Sequence, residues 1–360
     1  MKKIKVAIPQ RPYYIYIKKG ALKDLKTLIK RSSCGKDAIV ITTKKLFSLY
    51  GEKLKKQLQD SCDSVLFLTI PDSEKSKSAS IALNLIQRIT LFDKKKSPFC
   101  VAFGGGVVGD ITGFVAAIYK RGIPYIQVPT TLLAQIDSSI GGKTAVDTEC
   151  GKNLVGAFYQ PKFVLCDIDL LSSLPQSQIA AGLSEAVKYA LIKDRSLFDY
   201  ISKNLKKIKK LQSPYIDLVI SKCASIKARA VALDEYDKKG VRIILNFGHT
   251  FGHAIEAASN YKVSHGQGVA IGMVCAASLS TKLGILKKGA GSQIEWLLKQ
   301  IGLPVKIRKI EPSKIFSALA YDKKFRKKNR FVLLENIGKT KIVENVNEVL
   351  IKEVLRQETA

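Results

Sequence analysis

The segment Val101-Ala-Phe-Gly-Gly-Gly-Val-Val-Gly-Asp110 is the most informative part of this 360-residue chain about its fold. A short apolar run ends in three consecutive glycines, and a helical pattern follows from Ile111 to Tyr119. Glycine allows a sharp turn and close approach to a bound group. The next helix begins with unpaired N–H donors and a positive dipole end. The segment therefore predicts a strand, a turn and a helix. The turn either binds a pyrophosphate or is a tight turn without a role in binding.

The same alternation extends over the first half of the chain. Short β-branched runs, which are typical of buried strands, occupy residues 38–42, 65–70, 98–103 and 125–128. Helical patterns lie between them at 45–58 and roughly 76–91, and the acidic stretch 72–74 is a candidate cap for the second. This order predicts an α/β N-terminal domain, Rossmann-like, with a mostly parallel sheet.

The pattern changes near residue 175. Helical period dominates at 179–192, 197–208, 215–233, 267–283 and 292–301. Strand-like runs return only at 331–334 and 341–343. The sequence therefore predicts a mostly α-helical C-terminal domain over 175–360, joined to an α/β domain over 1–174.

Composition limits the class of protein. The net charge of +30 is compatible with nucleic acid, an acidic membrane surface or anionic substrates. The basic clusters are short and lack interleaved aromatic residues, which favours solvated surface for most of them. Seven scattered cysteines without a C-x-x-C pair indicate a reducing compartment and argue against a cysteine zinc cluster. Neither a signal peptide nor a transmembrane run is expected.

All three histidines lie between His249 and His265. His249 and His253 are four residues apart and share one face of a helix, which suits metal binding but also occurs by chance. Glu185 lies in an apolar helical run with Lys188 three residues on. These two side chains could form a surface ion pair. Alternatively, Glu185 could complete a metal site with two histidines, which is a common catalytic zinc arrangement.

A dense polar region follows the strand at 125–128. It contains several hydroxyl groups, a Gly-Gly turn, Asp137, Lys143, Lys152 and Asn153 in a loop-like stretch over 129–156. Loops on a rigid α/β scaffold commonly carry function, and lysine beside glycine and asparagine suits anion recognition. An ordinary polar surface loop is the alternative.

Taken together, these segments resemble the 3-dehydroquinate synthase family of sugar-phosphate cyclases. The resemblance covers about 65–340 and rests on the order and spacing of several motifs, at 104–110, 129–143, 152–153, 185–188, 248–253 and 265–266. It implies a dehydroquinate synthase-like fold with an NAD-binding domain, a helical metal- and substrate-binding domain and an active site in the cleft between them. More distantly, metal-dependent glycerol dehydrogenases share this architecture.

The resemblance also implies a reaction. 3-Deoxy-D-arabino-heptulosonate 7-phosphate would become 3-dehydroquinate and phosphate, a step of the shikimate pathway towards chorismate and the aromatic amino acids. The steps would be NAD-mediated oxidation, phosphate elimination, reduction and intramolecular aldol closure, so the enzyme is a carbon–oxygen lyase.

Site residues follow from the same resemblance. The ligands of Zn²⁺, or of Co²⁺ as an alternative, would be Glu185, His249 and His265. Phosphate, carboxylate and hydroxyl groups of the substrate would be held by Lys143, Lys152, Asn153, Lys227, Arg242, Asn246, Asp137, Lys188 and His253, with one of Lys323 and Lys324. NAD would lie against Asp72, Glu74, Lys75, Lys77, Gly105, Gly106, Val107, Val108, Gly109, Asp110, Thr130, Thr131, Lys143, Lys152, Leu170, Leu171, Ser172 and Ser173.

The resemblance implies a cytoplasmic homodimer in which Arg121 reaches the site of the neighbouring subunit. We expect a small anionic sugar phosphate as substrate, and neither nucleic acid nor membrane as a partner. Four positions depart from the family pattern: Ser73, Ala145, Gln267 and Gly268. Gln267 replaces a usual glutamate, which predicts a weaker contact orienting His265.

Three other functions are compatible with parts of this sequence, and each predicts different residues or a different activity. A cyclase such as 2-deoxy-scyllo-inosose synthase shares the scaffold, but Lys227, Arg242 and Asn246 favour a substrate with both phosphate and carboxylate. A polyol dehydrogenase would release NADH and needs no phosphate cluster. A nucleic-acid-binding protein would show affinity that falls steeply with salt and would release no phosphate.

Overall fold

The computed structural model describes residues 1–94, 96–321 and 329–359. The chain divides into two compact units. The first unit comprises Met1–Leu174 and Lys227–Tyr236, and the second comprises Pro175–Ile226 and Asp237–Ala360. The division after Leu174 lies where the change in sequence pattern places a domain boundary. In addition, residues 227–236 group with the first unit.

The first unit is built on a seven-stranded sheet. Its elements are β1 (Lys2–Val6), β2 (Tyr13–Lys18), α1 (Leu25–Ser32), β3 (Asp37–Thr43), α2 (Lys44–Gln59), β4 (Ser64–Ile70), α3 (Ala79–Phe92), β5 (Pro98–Gly104), α4 (Gly106–Ile118), β6 (Tyr125–Pro129), β7 (Lys143–Thr148), β8 (Gly151–Phe158) and β9 (Phe163–Asp167). Seven strands form one sheet in the order β1-β2-β9-β6-β5-β3-β4. Neighbours are parallel except β1 and β2.

Both faces of this sheet are covered by helices. Every residue of β3 is buried. Val40 packs in a cluster with helices α1 and α2, whereas Ile41 packs with α3 and α4. Successive side chains of a strand point to opposite faces, so an uninterrupted apolar run is what a strand covered on both sides requires. The α/β prediction with a mostly parallel sheet is confirmed.

One edge of the sheet collects segments that are far apart in sequence. Because parallel strands share a direction, the carboxyl ends of β3, β4, β5, β6 and β9 meet there. β4 and β5 lie on opposite sides of β3, so the chain reverses its course across the sheet at this point. Open α/β sheets bind ligands at such a switch point, outside the carboxyl ends of the strands.

The polar region expected to be a loop is mostly regular structure. A π-helical turn at Ala134–Ser138 precedes an antiparallel hairpin of β7 and β8. Glycine and hydroxyl residues made the strand pattern hard to recognise in the sequence. In the structure β7 alternates: Thr144 and Val146 are buried, and Lys143, Ala145 and Asp147 are less so. Lys143 lies at the start of β7, and Lys152 and Asn153 lie in β8.

The start of α3 also differs from expectation. The acidic stretch 72–74 does not cap it, because a separate short 3₁₀ helix at Glu74–Ser76 intervenes and is capped by Ser73. The Ser78 hydroxyl accepts a hydrogen bond from the Ile81 N–H and so begins α3. Ser73, one of the departures from the family pattern, thus has a local structural role.

The second unit is mostly helical, as predicted. Its elements are α5 (Gln176–Lys193), α6 (Arg195–Lys209), the first part of α7 (Tyr215–Leu233), α8 (His249–Ala258), α9 (His265–Lys282), α10 (Ala290–Ile301), α11 (Pro312–Tyr321), β10 (Arg330–Asn336), β11 (Lys339–Glu344) and α12 (Glu348–Gln357). The strands β10 and β11 form an antiparallel hairpin. Helix α9 packs against α5, α8, α10 and α12. Among the described residues, no helix is long and apolar enough to cross a bilayer.

Candidate functional site

Three helices of the second unit approach one another closely through glycine. A Cβ atom on Gly272 of α9 would lie 2.0 Å from the carbonyl oxygen of Gly248, just before α8. A Cβ on Gly266 would lie 2.5 Å from Cα of Ala181 in α5. No side chain fits at either contact, so the backbones of α5 and α8 closely approach the first two turns of α9.

This packing brings the three predicted metal ligands together. Oε1 of Glu185 lies 3.4 Å from Nε2 of His249 and 3.5 Å from Nε2 of His265. Ligands held at 2.0–2.2 Å by a tetrahedral zinc ion are about 3.3–3.6 Å apart. Glu185 is 1% exposed, and among the described residues no group meets the geometric requirements of a hydrogen bond to either of its carboxylate oxygens. The donor set and its spacing therefore fit a divalent cation with an open coordination position.

The two imidazole rings are oriented by contacts at their other nitrogens. Nδ1 of His249 lies 3.2 Å from the carbonyl oxygen of Phe247, which can accept a hydrogen bond from a protonated Nδ1. Nδ1 of His265 lies 3.0 Å from Oε1 of Glu256. In both rings a protonated Nδ1 leaves the Nε2 lone pair directed at Glu185, which is the tautomer that a metal ligand needs.

Electrostatics keeps Glu185 ionised. Burial alone would raise the pKa of its carboxyl group, but Lys188 and the two histidines outweigh burial and hold the pKa well below its usual range. Nζ of Lys188 contacts Oε2 of Glu185, and both side chains are almost fully buried. The ion pair considered from sequence is thus present, but it is internal and leaves Oε1 facing the histidines.

Sequence reasoning missed Glu256. Its carboxylate is buried, lies three residues after His253 on α8 and forms a second donor group with His253 and His265. The sequence contains a pattern that could have indicated Glu256, since positions 249, 253 and 256 lie on one face of a helix.

Gln267 does not take the role of orienting His265 but caps α9: its Oε1 accepts a hydrogen bond from the Ser264 N–H at 3.1 Å. The expected weakening of the contact to His265 is therefore wrong, because Glu256 makes that contact.

Three further predicted residues lie near this centre in the second unit. The ring of His253 is 5.2 Å from that of His249 between centroids. Arg242 and Asn246 lie in a 3₁₀ helix, Val241–Asn246, that precedes α8; Arg242 is buried and Asn246 is exposed. Lys323 and Lys324 lie outside the described residues.

The first unit contains the other predicted positions, and many of them meet at the carboxyl edge of its sheet. The predicted nucleotide contacts follow β4 (Asp72, Glu74, Lys75, Lys77), β5 (Gly105 to Asp110), β6 (Thr130, Thr131) and β9 (Leu170 to Ser173). Leu170, Leu171 and Val108 are buried, so they present almost no surface to a ligand in this structure. Sequence reasoning missed the end of β3 at this edge, where Thr43 caps α2.

The glycine turn forms the centre of this edge. Gly105 is the N-cap of α4, and a Cβ there would lie 3.1 Å from Cγ2 of Thr131. A Cβ on Gly106 would lie 3.2 Å from Oγ of Ser138. Side chains are thus kept away from the start of α4, where unpaired N–H groups and the helix dipole favour an anion such as pyrophosphate.

Polar contacts connect this turn to the β7–β8 hairpin. Nζ of Lys77 lies 2.7 Å from Oδ2 of Asp110 and also binds Oδ1 of Asn153. Burial raises the pKa of Asp110 to about 6, although Lys77 opposes the shift. Nζ of Lys152 lies 3.9 Å from Oε1 of Glu74. The segments after β4 and β5 and the hairpin therefore form one polar cluster.

Two predicted substrate residues also pair within the first unit. Nζ of Lys227 lies 2.8 Å from Oδ1 of Asp137. Asp137 belongs to the π-helical turn, and Lys227 is the first residue of the α7 segment that groups with this unit. Arg121 is exposed and lies in a turn after α4.

The chain is similar to known proteins over its whole length. A family model described as 3-dehydroquinate synthase N-terminal matches residues 67–181, and one described as 3-dehydroquinate synthase C-terminal matches 182–325. A 3-dehydroquinate synthase from Thermodesulfovibrio yellowstonii is 41% identical over 360 residues, covering 99% of this chain and 100% of the relative.

Solved structures of related cyclases have the same fold. A 2-deoxy-scyllo-inosose synthase complexed with carbaglucose-6-phosphate, NAD⁺ and Co²⁺ gives a TM-score of 0.89 at 30% identity, covering 99% of this chain and 100% of the other. A 2-epi-5-epi-valiolone synthase from Streptomyces hygroscopicus subsp. jinggangensis, with NAD⁺ and Zn²⁺ bound, gives 0.88 at 25% identity, covering 98% of both chains.

Proposed function

The chain belongs to the 3-dehydroquinate synthase family, and we propose that it converts 3-deoxy-D-arabino-heptulosonate 7-phosphate to 3-dehydroquinate and phosphate. The observation that carries this proposal is the meeting of Glu185, His249 and His265 at spacings that suit a tetrahedral cation. The catalysed steps would be oxidation, phosphate elimination, reduction and intramolecular aldol closure.

We assign the cofactors to residues of each unit separately. Glu185, His249 and His265 would hold Zn²⁺ or Co²⁺, and the edge at Gly105–Asp110 with its neighbouring segments would hold NAD. When bound, NAD supplies a reversible hydride acceptor and the cation supplies a Lewis acid for the substrate hydroxyls. Related cyclases of known structure contain NAD⁺ with Co²⁺ or Zn²⁺, which supports this assignment.

The chain's own residues would bind and orient the substrate. Lys188 neutralises one oxygen of Glu185 and leaves the other directed at the histidines. Fixed cations and amides suit a substrate with a phosphate and a carboxylate, and we assign this role to Lys143, Lys152, Asn153, Lys227, Arg242 and Asn246. His253 beside the metal centre would face the phosphate, and Asp137 would hold Lys227 and work near the hydroxyl groups.

We further propose a cytoplasmic homodimer in which Arg121 completes the site of the partner subunit. Arg121 is exposed at a turn of the first unit, and within the described residues its side chain makes no hydrogen bond or ion pair. An exposed guanidinium group in this position is suited to bind an anionic ligand outside its own subunit. Free cysteines, seven in number, accord with a reducing compartment.

The test is an assay for dehydroquinate and released phosphate with purified protein, with and without chelator and added NAD. We expect turnover that requires metal and only catalytic amounts of NAD. Glucose 6-phosphate and glycerol serve as alternative substrates. Faster cyclisation of glucose 6-phosphate would favour a 2-deoxy-scyllo-inosose synthase, and net NADH formation from glycerol would favour a polyol dehydrogenase.

A further inference from the structure

The turn that carries Arg121 has an uncommon backbone conformation. Lys120 and Arg121 have φ angles of 49° and 63°, and Gly122 follows with 123°. Two consecutive residues with side chains in the left-handed region are unfavourable by themselves, because the Cβ atom approaches the following carbonyl oxygen. Such conformations persist only where surrounding contacts impose them, and they cluster at functional sites.

The contacts that impose this conformation on its N-terminal side converge on Asp93. The Tyr119 hydroxyl donates a hydrogen bond to Oδ2 of Asp93 at 2.8 Å, and Nζ of Lys120 lies 2.5 Å from the same oxygen. The side chain of Asp93 is 0% exposed, whereas that of Lys120 is 54% exposed. A buried carboxylate thus holds both residues that precede Arg121.

Tyr159 holds the other side of the turn. Its hydroxyl donates to the carbonyl oxygen of Ile123 at 2.8 Å, and a Cβ on Gly122 would lie 3.1 Å from that hydroxyl. The Ile123 N–H donates to the Ala116 carbonyl oxygen at 2.9 Å. Between these two sets of contacts, the exposed side chain of Arg121 has no hydrogen bond or ion pair in the described part of the chain.

Asp93 lies where helix stability does not require a carboxylate. It is the C-cap of α3, and its N–H bonds to the Ile89 carbonyl oxygen. The C-terminal end of a helix carries partial negative charge, so a carboxylate there is unfavourable. Its Oδ1 is also buried without a partner among the described residues. Capping does not explain Asp93, whereas the contacts to Tyr119 and Lys120 do.

We propose that Asp93 is a positioning residue, which keeps the turn Tyr119–Gly122 in its left-handed form and so directs Arg121 away from its own unit towards an anionic ligand. This inference rests on the role proposed above for Arg121. Asp93 itself touches neither substrate nor cofactor; it acts only through the turn.

The first experiment is a double-mutant cycle on purified enzyme. Asp93→Asn removes the charge without changing shape, and we expect kcat/KM to fall about 10- to 100-fold, as displaced binding groups do, with Zn²⁺ and NAD affinity unchanged. In Asp93→Asn/Arg121→Ala the loss should equal that of Arg121→Ala alone, because Asp93 acts through Arg121. If the losses of the two single variants instead multiply in the double variant, Asp93 acts independently of Arg121 and the proposal is wrong.

Two variants control for folding. Asp37→Asn makes the same isosteric change at a buried, hydrogen-bonded carboxylate at the amino end of β3, and it should lower stability without lowering kcat/KM. Lys120→Met removes one contact to Asp93 from an exposed side chain, and it should show a smaller loss that also vanishes in the Arg121→Ala background. If Lys120→Met still lowers kcat/KM in the Arg121→Ala background, the proposal is contradicted, and this test does not require Asp93→Asn to fold.

Mixed dimers separate this inference from the proposed function. Equal mixtures of Arg121→Ala and Lys152→Ala subunits should regain about a quarter of wild-type activity, since half the dimers then contain one complete site. Asp93→Asn should regain activity with Lys152→Ala but not with Arg121→Ala. If the reference mixture stays inactive, Arg121 does not act across the dimer and that part of the proposed function is wrong; the double-mutant cycle still decides the role of Asp93.

Discussion

Oε1 of Glu256 lies 3.0 Å from Nδ1 of His265, and this contact directs the opposite nitrogen of the ring towards Glu185. Glu256 and His265 lie on consecutive helices, α8 and α9. A carboxylate bound to the second nitrogen of a ligating imidazole sets its tautomer and raises its basicity. The contact therefore connects a residue that binds no metal to the strength of the metal site.

Glu256→Gln should weaken zinc binding about 10- to 100-fold, which is the usual effect of losing such a contact. Zinc affinity would be measured by competition with a chromophoric chelator, and thermal unfolding would show whether the fold is retained. Gln267→Glu is the matched control, because Gln267 caps α9, whereas Glu256 is the residue that lies against Nδ1 of the ring. If zinc affinity changed more for Gln267→Glu than for Glu256→Gln, Gln267 and not Glu256 would be the residue that orients His265.

Gly272→Ala should separate α8 from α9 and abolish zinc binding. Its Cβ would lie 2.0 Å from the backbone carbonyl oxygen of Gly248, which cannot move without the helix. Overpacking of this kind destabilises proteins by about 1–3 kcal/mol. Urea unfolding and bound zinc per subunit would measure the two effects.

Gly291→Ala provides the matched control for that change. Gly291 lies in α10, and nothing is within 4 Å of a Cβ built there. Alanine in a helix is better than glycine by about 0.5–1 kcal/mol, so this variant should be slightly more stable and bind zinc normally. Equal effects of the two substitutions would show that the α8–α9 contact does not determine the metal site.

Gly105→Ala should weaken NAD binding and leave folding and zinc content intact. The added methyl group would lie 3.1 Å from Cγ2 of Thr131 at the N-cap of α4, where the phosphates are expected to approach the backbone. Calorimetric titration with NAD would measure the change, which we expect to be about tenfold or more. Unchanged affinity would place the nucleotide elsewhere on the sheet edge.

Asp37 should make stability depend on pH in acid. Burial alone would raise the pKa of its carboxyl group, but hydrogen bonds from Ser64 and the Ser97 N–H, with the charge of Lys96, outweigh it and hold the pKa below its ordinary value of 3.8. A lowered pKa in the folded state contributes stability that is complete above 3.8 and is lost as the pH falls through the folded value.

Wild type should therefore be more stable than Asp37→Asn near neutral pH, and the difference should shrink as the pH falls below 3.8. Urea unfolding at several pH values would measure it. Asp60→Asn, on the exposed end of α2, should stay within about 0.5 kcal/mol of wild type throughout. If the difference in stability between wild type and Asp37→Asn grew as the pH fell, this prediction would be wrong.

Local patterns in the amino-acid sequence predict the kinds of elements and their order. Apolar runs predicted β3 to β6 within a few residues, helical period predicted the second unit, and three glycines at the end of β5 predicted a turn into α4. These features depend on neighbours in the chain, so local patterns report them. The hairpin of β7 and β8 was mistaken for a loop, because its alternation is visible only when burial of Thr144 and Val146 is known.

Which side chains meet depends on how distant segments pack in three dimensions. Glu185 and His249 are 64 positions apart, and they come together because glycines such as Gly272 and Gly266 let three helix backbones touch. The segments after β4, β5, β6 and β9 converge because parallel strands end at one edge. Glu256 orients His265 because α8 packs on α9, and Asp93 reaches Lys120 because α3 lies beside α4. Such contacts arise from packing between distant segments, which no pattern confined to one segment contains.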